Sequence, residues 1–413
     1  MRTALVLVLL ACLFVAGCNG AKETDEVAWI VSMIIDRADD GDLVVNYRIA
    51  VPATQAAGDS ARAADKEPST LVSVKASSLA EARNLLNASL SRGANLSHVT
   101  AIVIGEDLAR AGIQDLVGPL LRFREFRGST FLFVSRGPAG DVARANKPTI
   151  ETYISRWVHN YMRGYDEASY FLPLPLHDFY TRLKGRSGSP LAAVIAVSPN
   201  PGQDRPAARQ PNSKVDTYLA GDLPIQGGNP VEVTGTAVFR EDKLVGFLDT
   251  GETRALAILL DKFPQGFIVV TDPLAPKHQV NVRLRNGRAP KISIDTGGDR
   301  PVIGIDVFLE GESTGIPSGI AYETEEFLPL LERQISDTIH EQILNMLVRT
   351  QGWDTDVVDF GYHIRPKFLT INDLVQYRWH EKFHRAEFNI VVNTEIRRTG
   401  LLRNTREIRK EPD

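Results

Sequence analysis

His380-Glu381-Lys382-Phe383-His384 is the stretch of this chain whose residue types and spacing come closest to spelling out a reaction. On a helix, two histidines four apart lie one turn from each other on one face. There they can bind zinc while the glutamate between them acts as general base. Such a centre needs a third protein ligand. No histidine follows His384, and the nearest downstream carboxylates, Glu387 and Glu395, lie in or beside a run that alternates like a strand. The competing reading makes Trp379 and Phe383, at i and i+4, the buried pair of a partly exposed helix end, with the histidines incidental. Other serines, histidines and aspartates are scattered without a Gly-x-Ser-x-Gly elbow, and no phosphate-cradling glycine loop is present. His98, beside an apolar run, reads as a packing histidine. Tyr153, Trp157, Tyr161, Tyr165, Tyr170 and Phe171 either pack a helical core, the commoner use of such density, or line a ligand pocket or partner surface. The residues therefore assign no catalytic group, no metal ligand and no cofactor, and they leave a ligand-binding set undefined.

The other reactive side chain is Cys18. It follows a one-arginine start (Arg2), an apolar run from Ala4 to Phe14 and the small-residue stretch Val15-Ala16-Gly17. Such a run is too short to span the ~30 Å hydrocarbon core, so residues 1–17 read as a cleaved export signal. Small residues before a thiol resemble a bacterial lipobox, which makes Cys18 the site of a diacylglyceryl thioether carrying fatty acids such as palmitate. Each buried methylene contributes ~0.8 kcal/mol, so a diacyl anchor holds a chain on the membrane surface. The alternative is an ordinary secretory signal with a chance cysteine. Cys12 is lost with the signal, so Cys18 is left as the sole cysteine, with no intrachain disulfide and no cysteine-type zinc site.

A net charge of −4 over 413 residues gives no electrostatic footprint for nucleic acid. The basic end, with Arg397, Arg398, Arg403, Arg406, Arg409 and Lys410, is either solvated or touches anionic headgroups. After the signal no further run of ~18 apolar residues occurs, so the body is expected to be soluble.

The elements that must position these residues follow from periodicity. An apolar run from Val27 and an alternating run over Leu43 to Val51 flank Asp39-Asp40-Gly41-Asp42, which predicts a hairpin. A calcium loop there is rejected, because Ala38 and Tyr47 stand where two ligands belong. Ser78-Leu79-Ala80-Glu81 opens a helix as a capping box. Val99 to Ile104 predicts a buried strand, Asp107 to Phe123 a helix, Thr130 to Val134 a strand, and Gly137 to Arg144 another helix. A second hairpin is expected at Gly235–Phe239 and Leu244–Phe247, followed by strands at Gly266–Thr271, Gln279–Leu284, Lys291–Asp295 and Ile303–Glu310. The longest helix is predicted over Thr324 to Arg349, with Phe327, Leu331, Ile335, Ile339, Ile343 and Leu347 as its core seam. Glu387 to Ile396 alternates again. From Ser198 to Pro230 six prolines and four glycines interrupt any period, which marks a boundary. The expectation is an α+β protein of two to three domains with mixed and antiparallel sheets packed by helices. Its parts are a signal at 1–17, an N-terminal α/β domain at 18–198, a linker at 199–230, a C-terminal α+β domain at 231–402 and a basic tail at 403–413.

In order along the chain, several strings resemble the C-subunit lipoproteins of spore nutrient-germinant receptors, the Ger(x)C family. They include the lipobox, Ser32-Met33-Ile34-Ile35-Asp36, Leu96-Ser97-His98 with Ile102-Val103-Ile104-Gly105-Glu106, and Arg122 with Glu125 and Arg127. The second half adds Thr234 to Phe239 with Asp242 to Gly246, Asp356 to Gly361, Trp379 with Phe383, and Ile396-Arg397-Arg398-Thr399-Gly400. One departure is Asn19-Gly20, where the family commonly has Trp-Asp after the lipidated cysteine. The resemblance implies a non-enzymatic subunit required for nutrient-triggered germination, lipid-anchored on the outer face of the spore inner membrane. Its implied partners are integral A and B subunits. Rival readings are an independent solute-binding lipoprotein and a zinc hydrolase using His380, Glu381 and His384.

Overall fold

The structure, a computed structural model, describes residues 23, 25–51, 68–151, 153–185, 187–198, 217–298 and 300–398. Strand β1 (Val27–Arg37) turns through Gly41 into antiparallel β2 (Leu43–Ala50), and β3 (Ser69–Ala76) pairs beyond it at the sheet edge. The chain returns through α1 (Leu79–Ser89) and a short β4 (Gly93–Asn95) to β5 (Ala101–Ile104) on the other side of β1. It continues through α2 (Glu106–Ala111), α3 (Gln114–Arg122), β6 (Phe131–Ser135), α4 (Ala139–Ala145), α5 (Ile154–Arg163), α6 (Tyr165–Ala168) and α7 (Leu176–Lys184) to β7 (Leu191–Val197). Strands β1, β5, β6 and β7 are parallel. All four residues of β5 are buried, as a strand covered on both faces requires.

The expected single helix over Asp107–Phe123 is two. Gly112 sits at φ 121°, a conformation a helix cannot continue, and it lies against Asp242. The Asp242 carbonyl accepts from Ile113 N (3.1 Å) and its carboxylate from Gln114 N (3.1 Å). The cap at α1 also differs in detail: the Ser78 hydroxyl accepts from Glu81 N (3.3 Å), but the Glu81 carboxylate closes on Ser77 N (2.8 Å).

The second hairpin, β8 (Val231–Arg240) and β9 (Lys243–Leu248), is placed by sequence in the C-terminal unit. In the structure β8 pairs antiparallel with β7, so the first sheet runs β3-β2-β1-β5-β6-β7-β8-β9. Its backbone partners and its buried faces lie there, which decides its sheet. Helices α1, α2, α3 and α7 cover one face with Leu86, Leu108, Val117 and Phe179; α4 and α5 cover the other with Val142, Val158 and Met162.

Next comes α8 (Thr250–Leu259), started by a full capping box in which the side chains of Asp249 and Glu252 each accept the other's backbone N–H (both 3.0 Å). All ten of its residues are buried. It packs on β8 and on the long α9 (Leu328–Gly352). The second sheet contains β10 (Gly266–Thr271), β11 (Gln279–Asn286), β12 (Lys291–Asp295), β13 (Val302–Gly315) and β14 (Glu387–Arg398). β13 and β14 are parallel and joined through α9, whose seam Leu331, Ile335, Ile339, Ile343 and Leu347 is fully buried against the sheet. Between α9 and β14 lie α10 (Phe360–His363), α11 (Ile371–Tyr377) and α12 (Trp379–Phe383). The fold is α+β, and one core cluster runs from the first sheet through α8 into the second.

Candidate functional site

Cys18 lies outside the described residues, as do the signal at 1–17 and the tail at 403–413. The histidine pair does lie inside them. Helix α12 spans five residues and turns Trp379 and Phe383 inward, with ring centroids 5.6 Å apart, which leaves His380 and His384 exposed. Glu381 is ion-paired with Arg378, and His384 Nε2 accepts from Arg385 Nε (3.0 Å). Among the described residues no group of three or more His, Cys, Asp or Glu is placed to hold a metal.

What α12 does instead is close a buried junction around Asp356. This carboxylate accepts three hydrogen bonds, from Phe360 N (2.9 Å), Gly361 N (2.8 Å) and the Trp379 indole N–H (2.9 Å). Gly361 must be glycine here, because a Cβ would sit 2.7 Å from the Trp379 ring. Complete burial pushes the Asp356 carboxyl up to about 6 even though all three donors favour its charge. The junction also ties the two halves of the chain together. Ser189 N donates to the Asp356 carbonyl (2.8 Å), and the Arg182 guanidinium on α7 donates to the carbonyls of Ser189 (3.1 Å) and Val357 (3.0 Å). Sequence reasoning had Asp356 to Gly361 only as a family string; its role follows from the fold.

A second ordered cluster sits where the connections from β1 and β5 leave in opposite directions, β1 to β2 and β5 toward β6. In open α/β sheets this point commonly holds a ligand. Here the Asp36 carboxylate occupies it, accepting from Ala139 N and Gly140 N (both 2.7 Å), while Glu106 accepts from Gly137 N (3.0 Å). Burial raises the Asp36 carboxyl despite those two donors. The chain's own carboxylate thus fills the place a bound anion takes in nucleotide-binding folds.

The aromatic stretch divides. Tyr165 and Phe171 are buried in the core, and Trp157 and Tyr161 line an open cleft of about 560 Å³ with Ile150, Ile225 and Pro230. The Tyr161 hydroxyl accepts from Val233 N (3.3 Å). His98 packs edge-on against Trp29, with centroids 4.5 Å apart, as a packing histidine should.

Comparison with known proteins agrees with this architecture. Residues 20–197 match the family model of the spore germination protein N-terminal domain, and residues 234–400 that of the spore germination B3/GerAC-like C-terminal domain. The chain belongs to this GerAC-like family of spore germination proteins, the Ger(x)C family that its ordered strings resemble. Among its relatives in Bacillus subtilis (strain 168), the putative spore germination protein YfkR is 24% identical over 409 residues, covering 97% of both chains. Spore germination protein KC is 24% identical over 406 residues, covering 97% of this chain and 96% of its own. The crystal structure of the GerBC protein shares the fold, with a TM-score of 0.52 at 18% identity over 89% of this chain and 97% of that one.

Proposed function

We propose that this chain is the membrane-tethered lipoprotein subunit of a spore nutrient-germinant receptor, required for nutrient-triggered germination and without catalytic activity of its own. The observation that carries the reading is the pair of family matches, which cover residues 20–197 and 234–400 in order. Among the described residues no helix is long and apolar enough to cross a membrane. In this reading attachment comes from the acyl chains on Cys18, and the body faces outward from the spore inner membrane beside integral A and B subunits. A two-chain anchor confines the body to the bilayer surface, where weak contacts with such partners become effectively intramolecular. A stand-alone solute binder would hold its ligand deep between modules. Here α8 is buried between β8 and α9, and the cleft at Trp157 is open and lined by residues within 148–161, at 198 and within 223–232.

The test is Cys18→Ala in a sporulating host, scored for metabolic palmitate labelling, membrane fractionation and germination. Expected are loss of label, release of the chain from the membrane fraction and loss of nutrient-triggered germination, with the response to a receptor-independent trigger retained. A chain that stays membrane-bound in spores just as responsive to nutrients overturns the reading.

A further inference from the structure

One surface of the second unit is built unlike the rest of the molecule. The start of α11 presents Leu369 at 101% exposure, Ile371 at 71% and, one turn on, Val375 at 45%. An adjoining side of the same segment packs inward with half-buried residues. The Phe368 and Tyr377 rings meet at a tilt with centroids 5.1 Å apart, and Leu374 packs against the core. The segment is therefore apolar on two faces, and one of them faces solvent, where large aliphatics of this exposure are costly.

The segment that carries this face is basic, with Asp295 of β12 acting on Tyr377 from the neighbouring strand. Residues 362–385 carry five Lys and Arg (Arg365, Lys367, Arg378, Lys382, Arg385) against two carboxylates, Asp373 and Glu381, in a chain whose net charge is −4. Asp373 is engaged in a capping box with Thr370, and Glu381 pairs with Arg378. Arg365 lies over the exposed ring of Tyr362 (5.4 Å), and Lys382 over the half-buried ring of Tyr377 (4.2 Å), so two cations are held on the rings that flank this segment. Beyond α12 the surface continues into an open concavity lined by Asp354, His380, Glu381, Lys382, His384 and Arg385. Aliphatic tips ringed by cations and tyrosines match the interfacial zone of an anionic bilayer.

The position of the tip agrees with such a partner. It is rooted in the Asp356 junction, which is bonded to Ser189, two residues before β7 begins. By register Leu191 of β7 is level with Ser32 of β1, three strand positions away (roughly 14 Å at ~4.8 Å per strand), and Val27 lies five residues before Ser32, so both strands begin at the same end of the first sheet. Cys18 precedes Val27 by nine residues, a reach of up to ~30 Å. The start of β1, from which the tether runs, and the Asp356 junction therefore lie at the same end of the first sheet.

We infer that Leu369, Ile371 and Val375 dip into the headgroup region of an anionic lipid bilayer, with the surrounding cations facing its phosphates. This gives the body a second membrane contact that fixes its orientation. The inference rests on the membrane-surface location proposed above. The test uses residues 23–413, which keep every buried contact described and lack both the signal and Cys18. Sedimentation is measured with phosphatidylcholine vesicles, with and without about one-third phosphatidylglycerol. Expected is salt-sensitive binding to the anionic vesicles, weakened about 10-fold by Leu369→Ser with Ile371→Ser and by Arg365→Gln with Lys382→Gln. The melting temperature of the serine variant should be unchanged, because Leu369 and Ile371 are exposed. Absence of vesicle binding, or binding by both variants as tight as that of the unaltered chain, overturns the inference. If the serine variant lowers nutrient germination without any vesicle binding, the face belongs to a protein partner and the lipid assignment falls. Because this chain has no Cys18, failure of the acyl tether would leave the vesicle result standing.

Discussion

Asp356 sets two physical terms against each other. Burial opposes its charge, while three N–H donors within 2.9 Å favour it; burial wins, and the carboxyl rises to about 6 from an ordinary 3.8. An acid raised by folding binds its proton more tightly in the native state than in the unfolded chain. Its contribution to stability is therefore fully present below pH 4 and is lost as pH rises toward 6. The loss is on the order of 3 kcal/mol, from ~1.4 kcal/mol per pH unit. Asp356→Asn cannot titrate, so the stability advantage of the wild type over this variant should shrink across that window and stay flat above pH 7, as urea unfolding at a series of pH values would read. Little of this was legible in the sequence. Trp379 and Phe383 declared themselves as a buried i, i+4 pair, but nothing local to Asp356 tells that an indole from 23 residues downstream will donate to it. The histidines at 380 and 384 show the converse, a letter pattern that the fold leaves on the surface.

Among the elements, those with the strongest periodicity were the most legible. Five of the six residues expected in the seam of α9, Leu331, Ile335, Ile339, Ile343 and Leu347, are inaccessible, while the helix begins at Leu328 rather than Thr324 and leaves Phe327 as its half-buried N-cap. Ile339→Ala, in the middle of that seam, removes three methyl or methylene groups from a packed interface and should cost about 3 kcal/mol in urea unfolding with the far-ultraviolet spectrum unchanged. Elements decided by distant contacts were less legible. The break at Gly112 lies inside an apolar pattern that runs on into α3, and what fixes it is Asp242, far along the chain. β3 escaped because an edge strand with one partner buries little and alternates weakly. For β8 the strand was visible but its sheet was not, since pairing with β7 is a relation between segments.

At the scale of the molecule, the α+β class followed from alternating strands and helices in the first half and the strand-rich second half. The composition break at 199–230 and the edge of the first sheet fall at different places, because β8 and β9 lie beyond the break yet complete that sheet. The candidate contact surfaces depend on this wider arrangement. The aliphatic tip at Leu369 had no signal of its own, since exposure of an apolar residue is set by what the fold fails to lay over it.

The pairing of β7 with β8 has a further consequence for a chain that is cut. A protease site introduced between residues 198 and 217 would divide the protein into fragments that still share six paired backbone positions and a common interior. The severed pieces should co-elute from gel filtration as one particle of undiminished size and part only in denaturant, so that scission there would be silent until the protein was unfolded.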